Sequence, residues 1–516
     1  PAATASANPS SKGPAALIGV EGTASQSPIR RKVVGTLEVP SLHGVELSND
    51  DGQIASWILL EKQYQLRQED GTSSDFRFVD GENRAPVSSL FLPPILNLSA
   101  EGQPARGEYT LVKSSADSAV LRWVVPGSGM VVERRYQIDA DSYALKVALV
   151  LKNPLDRAIS YDLTAIFGAL QNDEEASGSM FMPPLHLYES IFKGADGLER
   201  LDANEIKDML EDGESTRFQD GLTWAGVDNR YFMTALLPQP ADIESSVSTA
   251  SKPTLPGITG FTQLTNTLEL AGGKVPARGE VVRTLQFYAG PKKLSELDSQ
   301  TPSLEEAIDF GWFSVICVPM LWLMRAFFEQ TTNWGIAIIL LTVLVKLLTL
   351  PLTIKQYRSM AAMKKVQPEM KKLQAKWKDD KVRLQQEMMK LYQEHKVNPL
   401  SGCLPMFMMM PIYFALYRTI YSAVELYQAD FFFWITDLSK EDPFYVTPVV
   451  LGALMFLQFR LNPSTGDEVQ QKIMMYMMPV MFSGMMLFLP SGLVLYILVN
   501  TMLGLVQQYY QYRRVD

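Results

Sequence analysis

The later part of the chain carries apolar runs long enough to cross a membrane, and these runs constrain the fold more than any other feature. The first reads NWGIAIILLTVLVKLLTLP over residues 333–351. A helix needs roughly 20 such residues to cross a bilayer core of about 30 Å. One lysine, Lys346, lies inside this run. A charge at that depth costs at least about 2.5 kcal/mol, so we interpret Lys346 as a functional residue.

Polar side chains share a helix face with this lysine. Thr342, Lys346, Thr349 and Thr353 are spaced 4, 3 and 4 residues apart, which places them on one side of a helix. Nearer the start of the run, residues 336–341 are all apolar. A polar stripe that stops inside the span predicts a groove that is open at one end only.

The sequence predicts a polytopic α-helical membrane core of five spans. Each span has enough apolar residues to cross the bilayer. The spans lie at residues 333–354, 400–423, 444–460, 473–489 and 491–511.

The distribution of charge predicts how these spans are oriented. Segment 355–397 has 12 basic and 5 acidic residues, whereas loop 424–443 has one lysine and 5 acidic residues. Because basic segments stay in the cytoplasm, we place 355–397, loop 461–472 and tail 512–516 there, and 424–443 outside. An odd number of spans then puts everything before residue 333 outside. In a Gram-negative cell this compartment is the periplasm.

The first 302 residues have a different character. Their net charge is −12, against +3 for the rest of the chain, and they contain no cysteine. Residues 1–30 are rich in Ala, Ser, Pro and Gly, which predicts a flexible linker. Residues 31–302 alternate short β-type runs with turn residues, which predicts an N-terminal all-β antiparallel sandwich. The clearest strands are at 130–138, 143–153, 159–167 and 284–290, and the best local helix is at 201–210.

Segment 303–330 connects these two parts. Acidic residues crowd its start and bulky apolar residues follow, with Pro319 and Arg325 among them. We predict an interfacial amphipathic helix rather than a span. The alternative is an ordinary packed connector.

The cytoplasmic segment 355–397 predicts two short amphipathic helices packed as an antiparallel hairpin, with Pro368 bending the first. Its outer faces are basic. The charges either serve solubility and topology or dock lipid headgroups, ribosomal RNA or an emerging chain. The candidate docking residues are Lys364, Lys365, Lys371, Lys372 and Lys376.

No motif for catalysis or energy coupling is present in the sequence. It has no phosphate-binding loop, zinc-protease motif or nucleophile elbow, and its three histidines follow no metal-ligand spacing. The turn Gly127-Ser128-Gly129 lacks the third glycine of a dinucleotide site. We therefore expect no catalytic residue, metal or cofactor, and no small-molecule substrate.

Several segments resemble one known family. They include TVLVKLLTLPLT (342–353), QEHKVNPLSGCLPMFMMMPIYFALY (393–417) and PSGLVLYILVNTMLGLVQQ (490–508). In order and spacing they are similar to the YidC membrane-protein insertases of Gram-negative bacteria. TWAGVDNRYFMTALLP (223–238) is similar to the periplasmic domain of that family.

The resemblance implies a periplasmic β-supersandwich, a groove open to the cytoplasm, and one more span upstream of this chain. It implies a groove residue at Lys346, where the family usually has arginine. It also places Met409 and Tyr496 in the groove. Lys346 has no acidic partner in the predicted spans, so we expect water, backbone carbonyls, the threonine hydroxyls or a guest to solvate it.

The function we predict is insertion of nascent membrane proteins into the inner membrane. A polar tail enters the groove from the cytoplasm, and the apolar segment then leaves sideways into the lipid bilayer. Methionine-rich helices supply a soft wall for varied clients, and the alternative for them is ordinary packing. The predicted wall consists of Met406, Met410, Pro411, Met478, Pro479 and Met481. The ribosome and the general secretion translocon are candidate partners.

Two other classes of protein stay open at this point. One is a transporter or channel for a small anion, which requires polar residues reaching the outer face. The other is a membrane-anchored envelope protein whose β-domain binds glycans, for which one span would suffice.

Overall fold

The computed structural model describes residues 32–40, 42–64, 66–67, 73–74, 76–80, 91–174, 187–219, 221–237, 243–253, 259–377, 380–395, 399–461 and 473–515. The predicted linker 1–30 and nearly all of loop 461–472 lie outside these residues.

The N-terminal domain consists of two large, mainly antiparallel sheets. The first sheet has ten strands in its described part. In spatial order they are Val33–Val39, His43–Ser48, Ile54–Leu59, Phe76–Asp80, Phe91–Ala100, Ile159–Asn172, Phe261–Val275, Ile243–Ser251 and Arg217–Phe218, with Gln103–Pro104 beside Phe91–Ala100. One pairing, between Phe76–Asp80 and Phe91–Ala100, is parallel. The predicted all-β class is confirmed.

The second sheet has nine described strands and packs on the first across one apolar core. In spatial order they are Gly197–Asp202, Glu189–Gly194, Trp224–Asp228, Phe232–Leu237, Glu280–Pro291, Ala144–Lys152, Val131–Ile138, Ser118–Val124 and Thr110–Ser114. A separate small pair joins Leu66–Arg67 to Ser73–Ser74. Each of the four predicted strands overlaps an observed strand, and 130–138 and 143–153 extend at most one residue beyond its ends. Gly127 and Gly129 both have positive φ and lie in the turn between Ser118–Val124 and Val131–Ile138.

Helices provide the rest of the fold. Two belong to the β-domain, α1 (Ala203–Glu211) and α2 (Leu294–Asp298). The helical core contains α3 (Ser314–Thr331), α4 (Trp334–Lys376), α5 (Lys381–Glu394), α6 (Pro399–Ser422), α7 (Val446–Leu461), α8 (Met478–Met486) and α9 (Ser491–Val515). A π-helical turn at Ile473–Met477 leads into α8. Helix α1 lies where the sequence predicts it, and Asp202 and Glu205 form a capping box at its start.

The prediction for the basic hairpin was partly wrong. Its first arm is not a separate helix, because α4 continues without a break from the predicted span through Pro351 and Pro368 for 43 residues. Residues 355–365 are mostly good helix formers and contain no glycine that would end the helix. The hairpin packing itself is present, since α5 folds back on α4 around Val366, Met370 and Leu391.

The connector begins later than predicted. Residues 303–313 form two 3₁₀ turns, Glu305–Ala307 and Gly311–Phe313, and only then does α3 start. Gly311 has φ 57°, which interrupts a right-handed helix. Pro319 lies inside α3 without ending it.

Three described segments are long and apolar enough to cross a membrane: Gly311–Thr331, Trp334–Lys355 and Ser491–Gln511. Helix α7 is apolar but shorter. The first of these segments contains α3, for which we predict an interfacial position. That position and the count of five spans stay predictions.

The β-domain is held against loop 424–443 of the core, and against the helix ends beside it, by several polar contacts. Gln63 Nε2 donates to the carbonyl oxygens of Glu425 and Tyr427, both at 3.1 Å. Arg230 Nε donates to Tyr421 O at 2.6 Å, and its guanidinium lies 3.5 Å from the centre of the Tyr421 ring. The buried Glu425 carboxylate accepts from the guanidinium of Arg325 on α3. These contacts fix the end of α6 that faces the β-domain.

Candidate functional site

Lys346 lies where three helices meet. Its Nζ donates to Asn500 Oδ1 on α9 at 3.3 Å. Gly504, one turn further along α9, faces both Lys346 and Gln458 of α7: a Cβ built there would lie 3.6 Å from each side-chain nitrogen. The missing side chain of Gly504 therefore leaves space for two polar groups. Among the described residues, Lys346 forms no ion pair, so its nearest partners are neutral amides.

The threonine stripe is buried and largely satisfied by its own helix. The hydroxyls donate to backbone oxygens, Thr342 to Ile338 at 2.7 Å, Thr349 to Val345 at 2.9 Å and Thr353 to Leu350 at 3.0 Å. All three side chains are buried. Their protons are thus already used, and what they can offer a guest is a lone pair on oxygen.

The lone pair of the Thr353 hydroxyl oxygen already accepts a hydrogen bond. Gln507 Nε2 on α9 donates to Thr353 Oγ1 at 2.5 Å. A second polar position therefore lies two turns along α4 from Lys346, in the direction of the basic hairpin.

The sequence did not single out the partners on α7 and α9, because Asn500, Gln458 and Gln507 are neutral and stand out less than a charge in an apolar run. A signal was available, because Tyr496, Asn500, Gln507 and Gln511 are spaced 4, 7 and 4 residues apart and share one helix face. The rule that picked out the threonine stripe would have found them.

A cavity of about 360 Å³ opens between α4 and α9 beside this cluster. Its lining begins at Val343 and Lys346 and continues to Ile354 on one helix and to Gln511 on the other. The walls between these points are mostly apolar. The cavity thus extends from the middle of the predicted span towards its basic end.

The other end of the first span is packed shut. Ala337, Ile338 and Leu341 are fully buried. The ring of Phe431 lies against Gly335, where a Cβ would approach it to 2.0 Å. Gly492 donates its N–H to Leu438 O at 2.9 Å. The loop that contains Phe431 and Leu438 therefore covers this end of α4 and α9.

The predicted methionine wall is only partly visible. Met410 and Pro411 on α6 are exposed, as are Met478 and Met481 on α8, whereas Pro479 is buried. The side chains of Met406 and Met409 lie outside the described residues. Helix α8 packs on α7.

One other predicted groove residue is described, Tyr496, which is buried on α9. Tyr413 of α6, which was not among the predicted residues, lies beside Asn500 and adds a fourth helix to the polar cluster.

The basic hairpin exposes three of its five candidate lysines, Lys365, Lys372 and Lys376. The side chains of Lys364 and Lys371 lie outside the described residues. Trp377 at the hairpin tip lies beneath the Arg383 guanidinium, 4.2 Å from the ring centre. The hairpin is therefore a compact unit with a cationic surface.

The three histidines are the residues on which a metal centre was considered in the sequence. Among the residues that the structure describes, no three His, Cys, Asp or Glu side chains are grouped to hold a metal ion. His43 is fully buried and stacked on Trp57, with ring centres 5.5 Å apart. His395 lies at the surface near Glu369. His186 lies outside the described residues.

An all-β domain joined to a helical membrane core, with a cation inside the first span, defines an integral membrane protein with a large extramembrane domain. Residues 36–323 match the family model of the YidC periplasmic domain, and residues 326–516 match that of the 60Kd inner membrane protein. The chain belongs to the membrane protein insertase YidC family of the bacterial inner membrane.

Curated relatives agree with this assignment. The membrane protein insertase YidC of Geotalea daltonii is 40% identical over 425 residues, which are 80% of this chain and 77% of that protein. That of Lawsonia intracellularis is 34% identical over 93% of this chain and 86% of that protein. A crystal structure of an active YidC insertase aligns with 93% of this chain and 95% of that chain at 18% identity and a TM-score of 0.40. The family assignment rests on the sequence matches.

Proposed function

We propose that this protein inserts nascent membrane proteins by offering their polar tails a partly solvated position inside the bilayer. The observation that carries the proposal is Lys346, a cation at mid-span beside a neutral amide and at the head of a cavity. Lys346 is half-buried and has no counter-charge among the described residues, so it attracts one from a guest. An acidic tail that enters between the helices can supply it.

The direction of insertion follows from the two ends of the groove. The cavity extends towards the basic hairpin, and the opposite end is packed by Phe431 and Leu438. We infer that the basic hairpin and the C-terminus are cytoplasmic and the β-domain periplasmic. A client tail then enters from the cytoplasm, and its apolar segment leaves sideways, driven by burial in lipid. The exposed methionines Met410, Met478 and Met481 suit contact with that segment.

No chemical step is needed in this scheme, so we propose a non-enzymatic insertase without a cofactor. The anion-channel alternative requires polar groups to reach the outer face, where Ala337, Ile338 and Leu341 are buried and apolar. The glycan-binding alternative leaves the polar cluster of the core unexplained. Neither alternative is favoured.

Charge reversal at Lys346 tests the proposal. In proteoliposomes, Lys346→Arg should retain insertion of a client with an acidic tail. Lys346→Glu should lower it at least about tenfold, because like charges at close range cost several kcal/mol and about 1.4 kcal/mol corresponds to a factor of ten. The same client with its acidic residues changed to amides should respond far less. Lys440→Glu, an equal reversal at an exposed position on the outer loop, is the matched control.

The proposal fails if Lys346→Glu inserts both clients as well as the unaltered protein does. Photocrosslinking from Thr342 and Met409 to a stalled nascent chain supplies an independent check of where the client lies.

The cationic hairpin is the proposed docking surface for the ribosome, and the translocon is a proposed partner of the core. A triple change of Lys365, Lys372 and Lys376 to glutamate should reduce co-sedimentation with ribosomes. Unchanged co-sedimentation would assign these lysines to topology and solubility alone.

A further inference from the structure

We propose that the cleft between the β-domain and the start of α3 binds the headgroup of one phospholipid that carries both a phosphate and a primary amine, of the phosphatidylethanolamine class. The cleft has a volume of about 820 Å³, within the range of sites that hold small organic ligands. It is distinct from the polar cluster around Lys346. Three observations carry the proposal: its position, its charges and the helix face beside it.

The position of the cleft is at the level of a membrane surface. Its floor includes Asp309, whose carboxylate accepts from Arg418 of α6 at 3.1 Å. Arg418 lies four residues before the end of α6 at Ser422, which is about 6 Å along a helix. Ser422 itself contacts Asp309 O. The cleft therefore opens where α6 leaves the bilayer, on the side that faces the β-domain.

The charges of the cleft match a zwitterion. Carboxylates at Glu305, Glu306 and Asp309 line the cleft. Two cations at its edge pair with them, Lys193 with Glu306 at 2.6 Å and Arg418 with Asp309 at 3.1 Å. Within the described residues, Glu305 forms no ion pair. The deeper Arg200 is neutralised by Glu189 and by the buried Asp228. The local excess is thus one negative charge, which favours a ligand with an ammonium group over an anionic lipid.

The Asp309–Arg418 pair is the element that can exchange partners. Both side chains are about half exposed, and an exposed ion pair contributes little stability. A phosphoethanolamine headgroup can bring its ammonium to Asp309 and Glu305 and its phosphate to Arg418. Each charge then keeps an opposite charge, and the guanidinium gains a phosphate that it binds with two donors.

The apolar part of the lipid has a matching surface on α3. Val315 and Val318 line the cleft, and Trp322 continues the same helix face at spacings of 3 and 4 residues. Val315 is 83% exposed and Trp322 67% exposed, while Trp312 at the rim is fully exposed. Tryptophan at such a rim is typical of the membrane interface. An acyl chain along this face would cover side chains that are otherwise open to water.

Lipid retention by the full chain tests the proposal. The protein in detergent is mixed with synthetic phosphatidylethanolamine, phosphatidylcholine and phosphatidylglycerol of identical acyl chains, and bound lipid is counted by native mass spectrometry. We expect phosphatidylethanolamine to be retained about fivefold more than either of the others, since the quaternary amine of phosphatidylcholine donates no hydrogen bond and phosphatidylglycerol has no cation.

A matched pair of variants locates the site. Glu305→Gln with Asp309→Asn should lower retention of phosphatidylethanolamine to that of phosphatidylcholine and leave phosphatidylcholine unchanged. The control is Glu280→Gln with Asp156→Asn, the same chemical change at two other exposed acids of the β-domain, and it should have no effect. Equal retention of the three lipids, preference for phosphatidylglycerol, or equal losses in both variants would each overturn the proposal.

Discussion

Two lysines show how differently the β-domain and the membrane core treat a charge inside the fold, one buried at Lys292 and one half-buried at Lys346. Lys292 in the β-domain donates from Nζ to Asp228 Oδ2 at 2.6 Å and to Asn229 O at 2.9 Å. Lys346 in the core donates to the neutral Asn500 Oδ1 at 3.3 Å. The first ammonium is neutralised within the fold. The second has no opposite charge paired with it in the part of the chain that the structure describes.

The difference separates a structural charge from a functional one. Asp228 also accepts from Arg200 Nη1 at 2.9 Å, so the β-domain network is closed and has nothing to offer a ligand. A satisfied network of this kind rigidifies a core. An ammonium held by one amide is less stable in place but can accept a carboxylate from outside. The comparison therefore predicts that damage to the first network destabilises the fold, while changes around the second alter insertion.

Removing the central carboxylate of the β-domain network should have the largest effect. Asp228→Ala leaves Arg200 and Lys292 buried without their shared partner, and breaking a buried pair costs about 3–5 kcal/mol. Hydrogen exchange of the amides in Trp224–Asp228, measured on the full chain, gives the free energy of opening. Asp156→Ala is the control, because Asp156 pairs with Arg278 at the surface and should behave like the unaltered protein. Similar opening in both variants would mean that Asp228 has no structural role.

The β-domain also buries a titratable group in its neutral form. Burial among Trp57 and Tyr143 lowers the pKa of His43 from 6.5 to about 4, with a smaller opposing effect of Asp139. The unfolded chain takes up the proton first, so stability falls as the pH drops from 6.5 to about 4, by about 3 kcal/mol in total. Above pH 6.5, His43 is neutral in both the folded and the unfolded chain, so it no longer makes stability depend on pH.

Hydrogen exchange of His43–Ser48 in the full chain, measured between pH 7 and pH 4, tests this. His43→Phe keeps an apolar ring in place and should remove the His43 part of the pH dependence. An unchanged slope in that variant would assign the acid sensitivity to other groups.

The β-domain was the more predictable half of the molecule, because strand signals are local. Alternation and turn residues marked strands such as Val131–Ile138 and Ala144–Lys152, whose pairing partners follow from a simple meander. The break expected after residue 354 was wrong for a local reason as well: no residue there stops a helix, and the change from lipid to water does not do so either. Sheet order depends on contacts between distant strands and could not be read in the same way.

For the site, the sequence revealed the lysine and not its surroundings. Lys346 stood out because a charge in an apolar run is costly. Its partner Asn500 did not stand out, because a neutral amide costs less than a charge inside an apolar run and is not an expected counter-ion for a lysine. The threonine hydroxyls were expected to help solvate Lys346, but in a helix their protons bond the carbonyl four residues back. Which face of α4 meets α9 depends on packing that periodicity alone does not determine.

Giving Lys346 a carboxylate like that of Lys292 should remove the difference between the two lysines. Asn500→Asp supplies an internal counter-ion, which competes with an acidic client tail and should lower its insertion about tenfold. A client with a neutral tail should insert nearly as before, which excludes misfolding as the cause. Initial rates in proteoliposomes measure both. If the acidic client inserts equally well, Lys346 does not act through its charge.

The smallest effects should come from the threonine stripe. Thr353→Val removes the oxygen that accepts from Gln507, and one hydrogen bond has a net value of about 1 kcal/mol, which corresponds to about fivefold. We expect insertion of the acidic client to fall by no more than about fivefold. Thr342→Val should cost less, because the Thr342 hydroxyl bonds the carbonyl of Ile338 on its own helix and lies at the closed end of the groove. If Thr342→Val lowered insertion more than Thr353→Val, the stripe would solvate clients near Thr342. The cavity beside Lys346 would then have to extend further towards that residue.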